Sequence, residues 1–144
     1  MTRVVVVGAS RGIGLEFVRQ YREAGAAVWA TARDDAGLAR IAALGAHAQR
    51  LDVTQPSAAS APGWLLDAGQ FDLAVFNAGV YGPRTAGFVA PAPADFDSVM
   101  HTNVFGALQV LPWLVDADAL GQPVPARQHR PGRHAGRLAP RAVR

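Results

Sequence analysis

The chain has 144 residues, half of them apolar, enough for one hydrophobic core and one domain. It has no cysteine, which excludes a disulfide framework, a zinc-thiolate site and a cysteine nucleophile. The formal charge of +3 is uneven: residues 1–120 hold all 11 acidic residues and 8 of the 14 arginines, whereas residues 121–144 hold six arginines and no acid. No apolar run approaches the ~20 residues of a membrane helix, and Met1 leads straight into a strand without a charged leader and long apolar core. The expectation is a cytoplasmic protein without a membrane partner.

The first element is the valine run Val4 to Val7, which suits a strand buried on both faces, as in a parallel sheet. It stops at a turn carrying Gly8, Ser10, Arg11, Gly12, Ile13 and Gly14. Glycines at such a turn let the backbone bend sharply, approach phosphates and pack the next helix on the strand. That helix is predicted from about Gly12 to Ala24 on the spacing of Ile13, Phe17 and Tyr21, with Gly25 as its stop. Its N-terminal N–H groups and dipole face any anion held in the turn.

Ala26 to Thr31 reads as the second strand, completing a βαβ unit. Asp34 or Asp35 caps a second helix through Leu38, Ile41 and Leu44. Ala48 to Val53 is the third-strand candidate. Pro56 is placed to open a helix containing Trp64 to Leu66, although Pro62 argues against a continuous one. Phe71 to Phe76 is the fourth strand and runs into Asn77, Ala78 and Gly79; a loop follows from Val80 to Pro93. A long helix is predicted over about Ala94 to Ala117, kinked or broken at Pro112. The segment 121–144 is mostly Arg, Pro, Gly and Ala, shows no hydrophobic period and reads as disordered. Right-handed crossovers then give an α/β, Rossmann-like, doubly wound parallel sheet in the order 3-2-1-4.

These motifs resemble the short-chain dehydrogenases/reductases. The family's glycine turn is matched by Gly8, Gly12 and Gly14, its Asp-Val pair near the adenine by Asp52 and Val53, its Asn-Ala-Gly by Asn77, Ala78 and Gly79, and its helix Asn by Asn103. The resemblance covers residues 3 to about 115, roughly the first half of such a domain. It implies a nicotinamide cofactor and a small-molecule carbonyl or alcohol substrate, interconverted by hydride transfer, with no metal. Homo-oligomers are expected of the family, though a chain of this extent makes that doubtful here.

Cofactor choice turns on the end of the second strand. Family members that use NAD usually place an acid there, and Ala32 followed by Arg33 stands at the matching place. A guanidinium grips a 2′-phosphate with two hydrogen bonds, and Arg11 adds charge, so NADP is expected over NAD. The alternative is that Arg33 is a solvated loop residue and Asp34 holds the ribose.

The family's chemistry also needs a tyrosine and, four residues on, a lysine. The chain has no lysine, and its only tyrosines are Tyr21 and Tyr81. Asn103 is the one member of the catalytic set that maps, in a supporting role. The expectation is a cofactor-binding domain over 1–120 that is catalytically incomplete, followed by a tail at 121–144 whose composition suits a frameshifted reading of a GC-rich gene. A non-catalytic dinucleotide-binding module is the second reading. The tail's six arginines raise nucleic-acid binding, but without an aromatic residue there to stack on bases no nucleic-acid partner is expected.

Overall fold

Val4 to Val7 form the centre of the molecule, and none of the four exposes any surface. In the computed structural model, which describes residues 1–60, 62–84 and 86–119, they belong to strand β1, Arg3–Val7. The basic segment 121–144, expected to be disordered, lies outside the described residues. Alternate side chains of β1 point to opposite faces. Val4 and Val6 join Val18 and Ile41 in one core, while Val5 and Val7 join Leu65, Val110 and Trp113 in the other. Burying a valine is worth about 1.5–3 kcal/mol, so an uninterrupted valine run is what a strand with a core on each side requires.

The sheet is parallel throughout. Strand β2, Ala27–Ala32, lies on one side of β1 and strand β4, Leu73–Phe76, on the other; β3, His47–Arg50, pairs with the far side of β2. The order is β3-β2-β1-β4, as the crossover rule requires. Helices α1, Gly12–Glu23, and α2, Asp35–Ala43, supply Val18 and Ile41 to the first core. Helix α3, Gly63–Ala68, and the later helix α5, Gly106–Ala119, supply the second.

Several boundaries differ from the sequence reading, each for a local reason. β3 ends at Arg50, short of Val53, because the Asp52 carboxylate accepts hydrogen bonds from the Thr54 backbone N–H (3.0 Å) and hydroxyl (2.7 Å) and turns the chain out of the sheet. Pro56 opens only a 3₁₀ turn, Pro56–Ala59, and α3 starts after Pro62. The long C-terminal helix is interrupted upstream of Pro112. It runs as α4, Pro93–Met100, a π-helical turn, His101–Phe105, and then α5, which is continuous through Pro112. Pro112 and Leu108, whose carbonyl loses its helical partner at Pro112, are both exposed. Ile13, read as part of the buried stripe of α1, is 69% exposed; the buried face is formed by Gly14 and Val18, with Phe17 and Tyr21 beside them.

Helix α5 also ties down the irregular stretch after β3. The buried Gln109 side chain donates to the Val53 carbonyl and the Trp113 indole to the Ala58 carbonyl, each at 2.8 Å. These are backbone acceptors that no sheet ladder serves, and a buried acceptor left bare costs ~1–3 kcal/mol. Gln109→Leu should therefore destabilise the fold by about that amount in urea denaturation. An unchanged midpoint would mean that water reaches the Val53 carbonyl.

Candidate functional site

The carboxyl ends of the four strands open into one cleft of roughly 500 Å³, the edge at which parallel α/β sheets bind ligands. Its floor is the glycine turn. Gly8 has φ +87°, and a Cβ there would lie 2.6 Å from the backbone of Ala78, so the turn after β1 touches the segment after β4. The Asn77 side chain donates to the Gly8 carbonyl at 3.0 Å, and the Gly8 N–H donates to the Thr31 hydroxyl at 3.1 Å. Gly14 does something different: its Cβ would sit 2.1 Å from the Gly8 carbonyl oxygen, so only glycine lets α1 start this close behind the turn.

The two helices that begin beside the cleft are finished differently. At α2 the Asp34 carboxylate accepts the Gly37 N–H at 2.6 Å, an ordinary N-cap, and Asp35 follows in the first turn. At α1 the N-cap is Arg11, with no side-chain capping bond and no acid in the first turn. The free N–H groups and positive dipole end of α1 thus meet the cleft without a carboxylate of their own, an arrangement that suits an external anion.

The opposite wall comes from the Asp52 turn. Burial pushes the Asp52 carboxyl up, but the two hydrogen bonds from Thr54 and the positive charge of Arg33 outweigh it, and the group is held below its ordinary value. Arg33 is exposed on the cleft; its carbonyl accepts a hydrogen bond from Arg50 at 2.7 Å, and Arg50 also pairs with Asp35.

Asn103 lies on the π-helical turn, exposed and outside the lining of the cleft. Its amide oxygen accepts the Val80 N–H and its amide nitrogen donates to the Val80 carbonyl, both at 2.8 Å. The side chain therefore clamps the first residues after β4. Neighbouring Thr102, which does face the cleft, donates its hydroxyl to the Ser98 carbonyl at 3.1 Å.

Of the residues singled out in the sequence, Gly8, Ser10, Arg11, Gly12, Ile13, Arg33, Asp52, Val53, Asn77, Ala78 and Gly79 all line this cleft, while Gly14 and Asn103 support it from outside its lining. Ile13 is exposed because it stands over the cleft. Thr31, Arg40, Thr54 and Thr102 also line it and were missed. No spacing in the sequence marked Arg40, whose place at the cleft is set by Ser10, thirty residues earlier. Tyr81 is fully exposed at the open end, where a smaller apolar hollow of about 240 Å³ adjoins. Among the described residues no group of His, Cys, Asp or Glu is arranged to hold a metal, and no helix is long and apolar enough to cross a membrane.

A tight glycine turn at the carboxyl edge of a parallel sheet, faced by an Asp-Val turn and an Asn-Ala-Gly segment, is the architecture of the Rossmann class of α/β folds. The family model for short chain dehydrogenases matches residues 2–118, and the chain belongs to that family. Solved structures agree with it. A short-chain dehydrogenase/reductase from Burkholderia multivorans with bound NADP is 28% identical, with a TM-score of 0.71 over 81% of this chain and 53% of that one. A 3-oxoacyl-[acyl-carrier protein] reductase from Brucella melitensis in complex with NAD is 28% identical, with a TM-score of 0.69 over 86% of this chain and 51% of that one. A carbonyl reductase from Pseudomonas aeruginosa is 29% identical, with a TM-score of 0.65 over 81% of this chain and 57% of that one. The chain thus spans about half the length of these structures. No curated protein matches it significantly.

Two tests follow from the geometry. Gly14→Ala must move α1 away from the Gly8 carbonyl, whereas Gly12→Ala, at φ +57° with open space around it, meets only backbone strain of ~1–2 kcal/mol. Gly14→Ala should lower the urea midpoint more, and the reverse order would contradict the close packing. Asp52 ionises more readily folded than unfolded, so its stabilisation is complete above the ordinary carboxylate pKa of ~4 and is lost as pH falls through the lower folded value. Asp52→Asn removes that dependence, so the Tm advantage of the parent over the variant should shrink as pH falls from ~6 to ~3. A constant difference across that range would mean that the Asp52 charge does not stabilise the turn.

Proposed function

We propose that residues 1–120 form the dinucleotide-binding domain of an NADP-preferring oxidoreductase that interconverts a carbonyl and an alcohol on a small molecule, and that the 144-residue chain binds the cofactor without turning substrate over. The observation that carries the reading is the uncapped start of α1 beneath a glycine turn too tight for side chains, a cradle for a pyrophosphate. Gly8, Ser10, Gly12 and Ile13 would hold the phosphates, Asp52 and Val53 the adenine, and Asn77 to Gly79 the adjoining ribose; Gly14 and Asn103 would keep those segments in place. When bound, the nicotinamide supplies or accepts the hydride. The chain's own part is to orient the dinucleotide and to exclude water beneath it.

The preference for NADP is supported by how the charges are engaged. Asp34, the alternative ribose ligand, already caps α2, and Asp35 pairs with Arg50, while Arg11 and Arg33 line the cleft. A carboxylate committed to its own helix is a poor acceptor for ribose hydroxyls, and arginines beside it favour an added phosphate. Both cofactors occur in the structures that this chain resembles, NADP in one and NAD in another.

The absence of turnover rests on the side chains. With no lysine in the sequence, nothing supplies the ammonium that the family sets beside its catalytic tyrosine, and Tyr81 is a fully exposed ring at the cleft's open end. General acid catalysis is commonly worth ~10²- to 10⁴-fold. Titrating NADPH into the 144-residue chain should give saturable binding, and incubation with a panel of aldehydes and ketones should leave NADPH unconsumed. Absence of binding would overturn the cofactor reading. Steady consumption would overturn the inactive one, and Tyr81→Phe would then be the first variant to assay.

A further inference from the structure

Helix α2 approaches the glycine turn at a point where no side chain separates them. A Cβ on Gly37 would lie 2.8 Å from the Cβ atoms of both Ser10 and Ala32. One turn further along, Arg40 uses that proximity: its Nε–H donates to the Ser10 carbonyl at 2.8 Å, and the residue lines the cleft beside Arg11 and Arg33. A guanidinium carries five N–H donors in a rigid plane, so one bond to Ser10 fixes its direction and leaves the terminal nitrogens for a ligand. The carboxylates at this end are engaged elsewhere. Asp34 caps α2, Asp35 pairs with Arg50, Asp52 holds Thr54, and none of the ion pairs among the described residues includes Arg40.

We infer that Arg40 is a specificity-determining residue of the cofactor site: anchored on the Ser10 carbonyl, its guanidinium binds the phosphate monoester on the adenosine ribose that distinguishes NADP from NAD. This rests on the cofactor reading above. Arg11, Arg33 and Arg40 are all exposed, but of the three only the Arg40 guanidinium makes a hydrogen bond among the described residues, so gripping a phosphate costs Arg11 and Arg33 the full freedom of a long side chain. Arg40 has lost part of that freedom already. The anchor also couples the phosphate to the glycine turn, because the residue whose carbonyl aims Arg40 lies two places before Gly12.

The test uses the full chain and three ligands, NADPH, NADH and ADP, titrated at low and moderate salt. Arg40→Met keeps the aliphatic stem and removes the charge and the anchor. It should weaken NADPH binding about tenfold or more while leaving NADH and ADP within about twofold, and it should flatten the salt dependence of NADPH binding. Arg40→Lys, which restores the charge without the planar fork, should fall between the parent and Arg40→Met for NADPH alone. Equal losses of NADPH and NADH in both variants would mean that Arg40 only holds α2 to Ser10, and unchanged NADPH binding would mean that Arg11 and Arg33 suffice; either result overturns the inference. If the parent chain binds none of the three ligands, the cofactor reading falls and this inference falls with it. Binding of all three by the parent with no discrimination between variants removes only the inference.

Discussion

The contact between Gly8 and Ala78 is the constraint from which the rest of the cleft follows. Backbone meets backbone there at a distance that leaves no room for a Cβ, so the chain leaving β1 and the chain leaving β4 are fixed against each other before any side chain is considered. The Asn77 bond to the Gly8 carbonyl then locks the pair. On the other side, Thr31 at the end of β2 receives the Gly8 N–H on its hydroxyl and the Ala9 N–H on its carbonyl. Three neighbouring strand ends are thus joined through the few residues of the turn, and the start of α1 can be set only where Gly14 allows it.

Irregular backbone at the rim of such a sheet has no ladder to satisfy it, and buried N–H and C=O groups must still be paired. Here the pairing is done by side chains of the long C-terminal helical run. Gln109 takes the buried Val53 carbonyl and Trp113 the buried Ala58 carbonyl, and at the exposed rim Asn103 takes both backbone groups of Val80. Gly106 lets that run lie against Val53, since a Cβ there would come within 2.8 Å of its side chain. The π-helical turn at His101–Phe105 contains Asn103 and directly precedes Gly106. An extra residue in the turn re-phases the helix, and the same run faces the β4 loop through Asn103 and the Asp52–Ala58 segment through α5.

Much of this was legible in the sequence because it depends on residue type and spacing alone. The valine run, the glycine turn, and the Asp-Val and Asn-Ala-Gly segments mark the strand ends, and the crossover rule then orders the strands. What was not legible depends on side-chain contacts and on which faces stay exposed, which residue type and spacing do not state. β3 stops early because of a local Asp52–Thr54 turn, placed inside the Ala48–Val53 stretch that was read as strand. Pro112 is tolerated because its helix face is exposed, and Ile13 leaves the core because the cleft lies above it. Arg40 was invisible for the same reason: its role is set by Ser10, thirty residues earlier.

The two ends of the cleft differ in how firmly they are built, and this bears on how binding energy is distributed along a dinucleotide. At the α1–α2 end the backbone is held by several contacts: Gly37 packs against Ser10, Arg40 bonds to the Ser10 carbonyl, Arg50 bonds to the Arg33 carbonyl, and Asp34 caps α2, although the Arg11 and Arg33 guanidinium groups stay free among the described residues. A ligand group entering there meets backbone N–H groups and one anchored arginine already in place, and loses less free energy to ordering these than to ordering free side chains. At the other end the chain passes through Val80 to an exposed Tyr81, and beyond it β4 has no strand on its outer side among the described residues, with Leu73 partly exposed and Leu108 and Val115 of α5 each 64% exposed. A group bound at that end meets the fully exposed Tyr81 side chain, which must still be ordered. On the proposed cofactor reading, the phosphate and adenosine portion would carry most of the affinity, so changes at the reacting end of a ligand would register weakly in its dissociation constant.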